Sequence, residues 1–502
     1  MAKLRNRFLS GLGLIFLVAF VSYYVQFPGL VSSSGIEPAG RIFPRAFPAL
    51  YKHWFYDMID SKEMWVAVDV LCEAACILGI FLSALAAFGI IHHGILFFGM
   101  TMLYYFLVQL GGTFYSFQWD TLLLETGWVV SICYAPWSRL LSFDSESNEV
   151  SNWPLRFLLF KLMFMSGVVK IQADCPTWNH LTALEYHFAT QCLPGPLAWF
   201  AHQMHPLLLR IGVAITFLIE IQSSFLLIFF RPKFRQVGAW LQIILQVLIL
   251  ATGNYNFFNA LTLLLCLPCL EAPNRRTFEE DGINRRSAKG REVRSFDLPV
   301  CFVFLAWCFG TMFTVKTQDG TDGQVSITLA WTQTFCNRVI DRTIPLVIGV
   351  VFVTLLYSLR RIAGMKKGRL GALVHLVVCL LCLGMSSVPF MNLTPGLNND
   401  SWPMLPTRLF VEPWRHIQPY HFSNGYGLFR RMTGVGDSRR KGDEKGWGGL
   451  PPSVVERPEI ILEGREASTG IVRQLNFRWK PGDVSKRPKQ VAPYQPRVSF
   501  SL

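Results

Sequence analysis

The sequence predicts an α-helical polytopic membrane protein with about eleven transmembrane helices and a small β-rich C-terminal domain. Three observations carry that prediction. Of 502 residues, 51% are hydrophobic and 16% charged, where a soluble chain carries about a quarter charged. Apolar runs of roughly 17–25 residues, the length that crosses a bilayer, recur from the N-terminus to about residue 390. Beyond that point the chain turns to Pro, Gly, Arg and Trp, with short alternating runs.

The elements follow in order. Lys3, Arg5 and Arg7 precede an apolar run from Phe8 to Val25. No small-residue cleavage site follows, so this is read as an uncleaved first span. Further spans are predicted at 66–91, 95–111, 119–136, 155–173, 207–230, 236–252, 255–269, 298–315, 344–359 and 370–390. The breaks at His92-His93-Gly94 and Gly253-Asn254 leave open a re-entrant element in place of two spans. Residues 1–390 thus form a multi-span bundle. If the basic N-terminus is cytosolic, the Arg-rich loop 271–297 is cytosolic too, and loop 174–206, with no Lys or Arg, lies on the other side. The tail 391–502 then lies on that outer side. It carries two glycosylation sequons, at Asn392 and Asn399, and Asn399 is the better acceptor. Residues 437–455 read as a flexible insertion in the tail.

The net charge of +14 does not indicate nucleic-acid binding. The cations lie in loops between spans, where membrane topology requires them. Most of the twelve cysteines lie inside apolar segments and read as small buried hydrophobes. Cys379-Leu-Leu-Cys382 has redox-motif spacing but sits within a span, without the strand–helix context of such motifs. No nucleotide-binding loop, nucleophile elbow or metal-ligand spacing is present, so no cofactor is called for.

Charges inside the spans are costly and mark partners or a cavity. With a rise of about 1.5 Å per residue, Glu220 lies about 20 Å below the outer face and Lys161 about 9 Å above the inner one. In a core of about 30 Å these depths coincide, so Lys161 and Glu220 are predicted to pair. Asp69, Glu73, Asp120, Glu125 and Lys170 fall in the outer half. Asp69 and Glu73, four apart, share a helical face. This cluster either links helices, sits at the interface, or lines a polar cavity open to the outer side. In loop 174–206, Cys175 and Cys192 are the only cysteines, and an oxidising compartment would join them in a disulfide.

Several long motifs carry a resemblance: SFQWDTLLLETGW (116–128), LRFLLFKLMFMSGVVKI (155–171), CPTWNHLTALEYHFATQCLPGPLAWFAHQMHP (175–206), YHFSNGYGLFRRMTG (420–434), RPEIILEG (457–464) and WKPGDVSKRPKQVAPYQPR (479–497). Over nearly its whole length the chain resembles the lipase maturation factor family. The resemblance implies a multi-pass endoplasmic reticulum membrane protein with a lumenal C-terminal domain. It implies assistance to the folding and assembly of secreted lipases such as lipoprotein lipase, which are its partners together with the bilayer. The family's membrane part is distantly similar to that of vitamin K-dependent γ-carboxylase, which implies an alternative as an integral-membrane enzyme. No catalytic residue, cofactor or metal site carries over. Residues 437–455 interrupt the family pattern, and the chain stops after QPR where that pattern continues, so a shortened lumenal domain is expected.

Overall fold

The computed structural model describes residues 2–54, 62–136, 145–191, 194–229, 231–253, 255–271, 297–317, 325–363, 369–394, 408–430, 461–475 and 485–490. Helices come first: α1 (Ala2–Leu30), α2 (Ala39–Ala46), α3 (Pro48–Trp54), α4 (Lys62–Ala87), α5 (Gly94–Leu110) and α6 (Gln118–Val129), which a π-helical turn prolongs over Val130–Tyr134. Then follow α7 (Ser145–Gln172) and the short α8 (Pro176–Asn179), α9 (Ala183–Thr190) and α10 (Pro196–His202). Helix α11 (Pro206–Phe217) passes through a second π turn, Leu218–Gln222, into α12 (Ser224–Leu227). The remaining helices are α13 (Pro232–Thr252), α14 (Phe258–Leu270), α15 (Asp297–Met312), α16 (Gln333–Ala363), α17 (Arg369–Met391) and α18 (Arg408–Ile417).

Every apolar segment read from the sequence lies mostly on a helix. Six helical stretches are long and apolar enough to cross a membrane: Lys3–Leu30, Lys62–Ala87, Pro206–Leu227, Pro232–Thr252, Gln333–Arg360 and Arg369–Met391. Gly94–Leu110, Phe258–Leu270 and Asp297–Met312 are shorter apolar helices. The architecture is that of a multi-pass membrane protein. The chain does break into two helices at 88–93, where His93 caps α5 by accepting the Ile95 amide through Nδ1 at 3.2 Å.

Helix α1 buries Phe8, Leu12, Phe16, Phe20, Tyr23 and Phe27, a stripe at helical spacing, and packs antiparallel on α4. The two backbones approach closely: a Cβ on Gly79 would lie 2.4 Å from the Phe20 ring. Helix α7 is different. From Val150 to Ile171 every residue is buried and none faces solvent or lipid, so α7 is the central post of the bundle. Helices α6, α14, α16 and α17 and the Leu218–Gln222 turn pack around it. A polar group on such a post cannot reach water or headgroups and must find its partner inside.

Two antiparallel hairpins complete the described fold. The first, β1 (Phe313–Thr317) with β2 (Val325–Leu329), joins α15 to α16 and takes the last residues of the predicted span 298–315. Sequence reading missed it, because Phe313-Thr-Val continues an apolar run without a break. The second, β3 (Leu462–Arg465) with β4 (Val472–Leu475), falls on the strand runs expected in the tail and turns through Gly470, at φ +69°. Loop residues 272–296 and the insertion 437–455 lie outside the described residues.

Candidate functional site

Two buried ion pairs are built on α7. Lys161 Nζ donates to Glu125 Oε1 on α6 at 2.5 Å, with the side chains 0% and 1% exposed. Lys170 Nζ donates to Glu220 Oε2 in the π turn at 2.6 Å. The predicted Lys161–Glu220 pair is therefore corrected: both residues are paired, each with a different partner. The reason is angular. Nine residues at about 100° each put Lys161 and Lys170 on opposite sides of α7, about 13.5 Å apart along the axis. Helix α7 also begins at Ser145, ten residues before the predicted 155, which displaces the origin of the depth reckoning.

The Lys161–Glu125 pair is roofed by a segment from the far end of the chain. Lys161 also donates to Ser386 Oγ on α17 at 3.0 Å and to Ser423 Oγ at 3.4 Å. Glu125 Oε2 accepts the Tyr426 hydroxyl at 2.6 Å and the Asn424 amide at 2.9 Å. The Lys161 ammonium lies 5.4 Å from the Tyr426 ring centroid. Around this centre, Asn424 Nδ2 donates to the Thr121 carbonyl at 3.3 Å, Trp128 Nε1 to the Tyr420 carbonyl at 2.9 Å, and the Gly427 amide to Gln118 Oε1 at 3.3 Å. Residues 420–430, from the motif YHFSNGYGLFRRMTG, are thus a plug seated on α6 and α7. Sequence reading missed this because the partners are 299 residues apart and the plug reads as an ordinary loop.

The second pair continues the site sideways. The Lys170 ammonium lies 5.1 Å from the Trp178 ring centroid, and Trp178 Nε1 donates to the Phe429 carbonyl at 2.8 Å. Phe429 packs edge-on against His187, whose Nε2 is 3.0 Å from the Tyr255 hydroxyl. Burial and the nearby Lys170 charge push the His187 imidazole down to about 4, so it is neutral at pH 7. Loop 174–206 and the plug are therefore bonded to each other at one end of the bundle. Gly167 lets α7 approach the π turn: a Cβ there would lie 2.5 Å from Ile221 Cγ1 and 2.9 Å from Glu220 Cβ.

The other predicted polar residues scatter. Asp120 is buried and accepts the Tyr104 hydroxyl at 2.5 Å. Asp69 accepts the Ser33 amide at 2.8 Å, tying the end of α1 to α4, while Glu73 is exposed. Asp69, Glu73, Asp120, Glu125 and Lys170 do not converge on one open cavity; Asp69, Asp120, Glu125 and Lys170 are separate links between neighbouring elements. Cys175 is buried, its sulfur 3.3 Å from Thr177 Oγ1, and Cys192 lies outside the described residues. Asn392 is exposed just beyond α17 with Thr394 of its sequon buried, and Asn399 lies outside the described residues. Cys382 faces Cys133, sulfur to sulfur at 3.4 Å, and both thiols are buried. Among the described residues, no group of His, Cys, Asp and Glu is arranged to hold a metal ion.

Comparison with known proteins bears directly on this bundle. Residues 3–276 match the lipase maturation factor transmembrane domain, and residues 448–502 match the lipase maturation factor C-terminal domain. Both ion pairs lie within the first match. Lipase maturation factor 2 of Xenopus tropicalis is 32% identical over 99% of this chain and 70% of its own length. The Homo sapiens lipase maturation factor 2 is 33% identical over 99% of this chain and 71% of its own length. Lipase maturation factor 1 of Bos taurus is 27% identical over 52% of this chain and 48% of its own length. No solved structure matches. With its transmembrane domain matched over more than half its length, and close to a third identity throughout, the chain belongs to the lipase maturation factor family.

Proposed function

We propose that this chain is an endoplasmic reticulum membrane factor that assists the folding, assembly and maturation of secreted lipases, lipoprotein lipase among them, so that they leave in active form. The N-terminus is cytosolic and loop 174–206 and the tail are lumenal. One observation carries the reading: Trp178 and His187 of the loop are bonded and packed to Phe429 of the plug. The two segments that would meet a client therefore form one surface, fixed to the bundle by the Glu125 contacts. Such a platform would shield apolar surface on an incompletely assembled lipase while its disulfides and subunits settle. A Cys175–Cys192 disulfide would brace the loop, and a glycan on Asn399 would mark the tail as lumenal.

The enclosed state of Lys161 and Glu125 supports a scaffold over the carboxylase-like alternative, because neither side chain is exposed. The test is secreted lipase activity per unit of lipase protein, in cells lacking the endogenous factor and re-expressing this chain. The expected result is a rise in specific activity. No rise, with the chain stable and resident in the endoplasmic reticulum, overturns the lipase assignment. Substitution of Lys161 or Glu125 should lower chain abundance and lipase maturation together. An enzyme would lose activity while its abundance held.

A further inference from the structure

We propose that α10 is seated in the lipid of the bilayer surface, with Leu197, Phe200 and Met204 facing acyl chains, and does not project into the aqueous phase. Helix α10 is apolar on opposite sides. Ala198 and Ala201 are buried against Phe188 and Leu209, with Leu184 alongside. Leu197, Phe200 and Met204, at helical spacing, point outward and are exposed, as is Leu208 in the first turn of α11. A helix that is apolar all round is stable inside protein or in lipid, not in water. Residues 191–209 contain no Asp, Glu, Lys or Arg. The exposed polar side chains of this stretch, His202, Gln203 and His205, gather at the turn from α10 to α11, where headgroups would meet them.

Continuity identifies the occupant. Leu208 and Ile215 lie two turns apart on the outward face of α11 and are both exposed. Helix α10 packs beside α13, which presents exposed Trp240, Ile244 and Leu248 on its own outward face. Gln191 Nε2 donates to the Thr252 carbonyl at 3.0 Å, which fixes the loop to the end of α13. The apolar ridge on α10 therefore prolongs the lipid-facing surface of two spans, and the bilayer that covers them covers it. This holds whatever the client is.

The test is photocrosslinking of the full chain in native membranes. Benzoylphenylalanine is placed in turn at positions 200, 204, 202 and 244, and adducts are identified by mass spectrometry. Phospholipid adducts are expected at 200 and 204, as at the lipid-facing reference 244, and are expected to be lost at 202. The unsubstituted chain, irradiated with a phosphatidylcholine bearing a diazirine in its acyl chain, should be labelled within 196–204. Protein adducts at 200 and 204, whether to a client or to a second copy, overturn the proposal. So does equal lipid labelling at 202, or failure of 200 and 204 to take lipid while 244 does.

Discussion

Exchange of partners along α7 is directly measurable. The perturbation is Glu125→Ala, Lys161→Ala and Glu220→Ala, singly and in pairs. Removing one member of a buried ion pair strands the other charge and destabilises by about 3–5 kcal/mol. Glu125→Ala should be the worst of the three. It leaves the Lys161 ammonium unpaired and takes the acceptor from the Tyr426 hydroxyl and the Asn424 amide, each such loss adding about 1–3 kcal/mol. Lys161→Ala is milder, because Glu125 keeps those two donors. The assay is reversible SDS unfolding of the purified chain in micelles. Double-mutant cycles should give a coupling of about 1–3 kcal/mol for 125 with 161, and agreement with additivity within about 0.5 kcal/mol for 161 with 220. A 161/220 coupling as large as the 125/161 coupling would restore the pairing expected from depth and refute the two separate ion pairs.

Three further outcomes follow. Tyr426→Phe removes one hydrogen bond to a charged acceptor, and should cost about 1.5–3 kcal/mol and raise protease cleavage within 420–430. Gly167→Val must push the π turn off α7, since even a Cβ would meet Ile221 at 2.5 Å; a loss of about 1–3 kcal/mol or more is expected by thermal unfolding, and an unchanged midpoint would contradict the close approach. The His187 imidazole, held at about 4 in the folded chain against an ordinary 6.5, refuses a proton that the unfolded chain accepts. Its contribution to stability is complete above pH 6.5 and is lost as pH falls towards 4. His187→Gln should flatten the melting-temperature profile across that window, and parallel profiles for the two proteins would exclude this origin.

Hydropathy made the helices legible, because every predicted span lies mostly on one. Their partners were not legible. Depth along a helix is counted from its first residue, and α7 begins at Ser145, while the direction a side chain faces is set by how the helix packs on its neighbours. Glu125, Lys161, Lys170 and Glu220, each singled out as a charge within a span, are all buried and all engaged. Hairpin β1–β2 stayed hidden inside a continuous apolar run. The plug stayed hidden for a different reason. Ser423, Asn424 and Tyr426 have the composition of a surface loop, and only their contacts with Glu125 and Lys161 reveal them as part of the bundle.

The distance in sequence between Glu125 and Asn424 also sets a schedule. Glu125 leaves the ribosome 299 residues before the Asn424 amide that it accepts. At about 5–20 residues per second, that is an interval of about 15–60 s. For most of it, once Gln172 has followed, α6 and α7 are made while the carboxylate lacks its Asn424 and Tyr426 donors. The nascent bundle must hold that half-finished charge site inside the membrane until the tail arrives. Ribosome pausing between 391 and 420 would lengthen the exposed interval, and membrane quality control would then compete with completion of the fold.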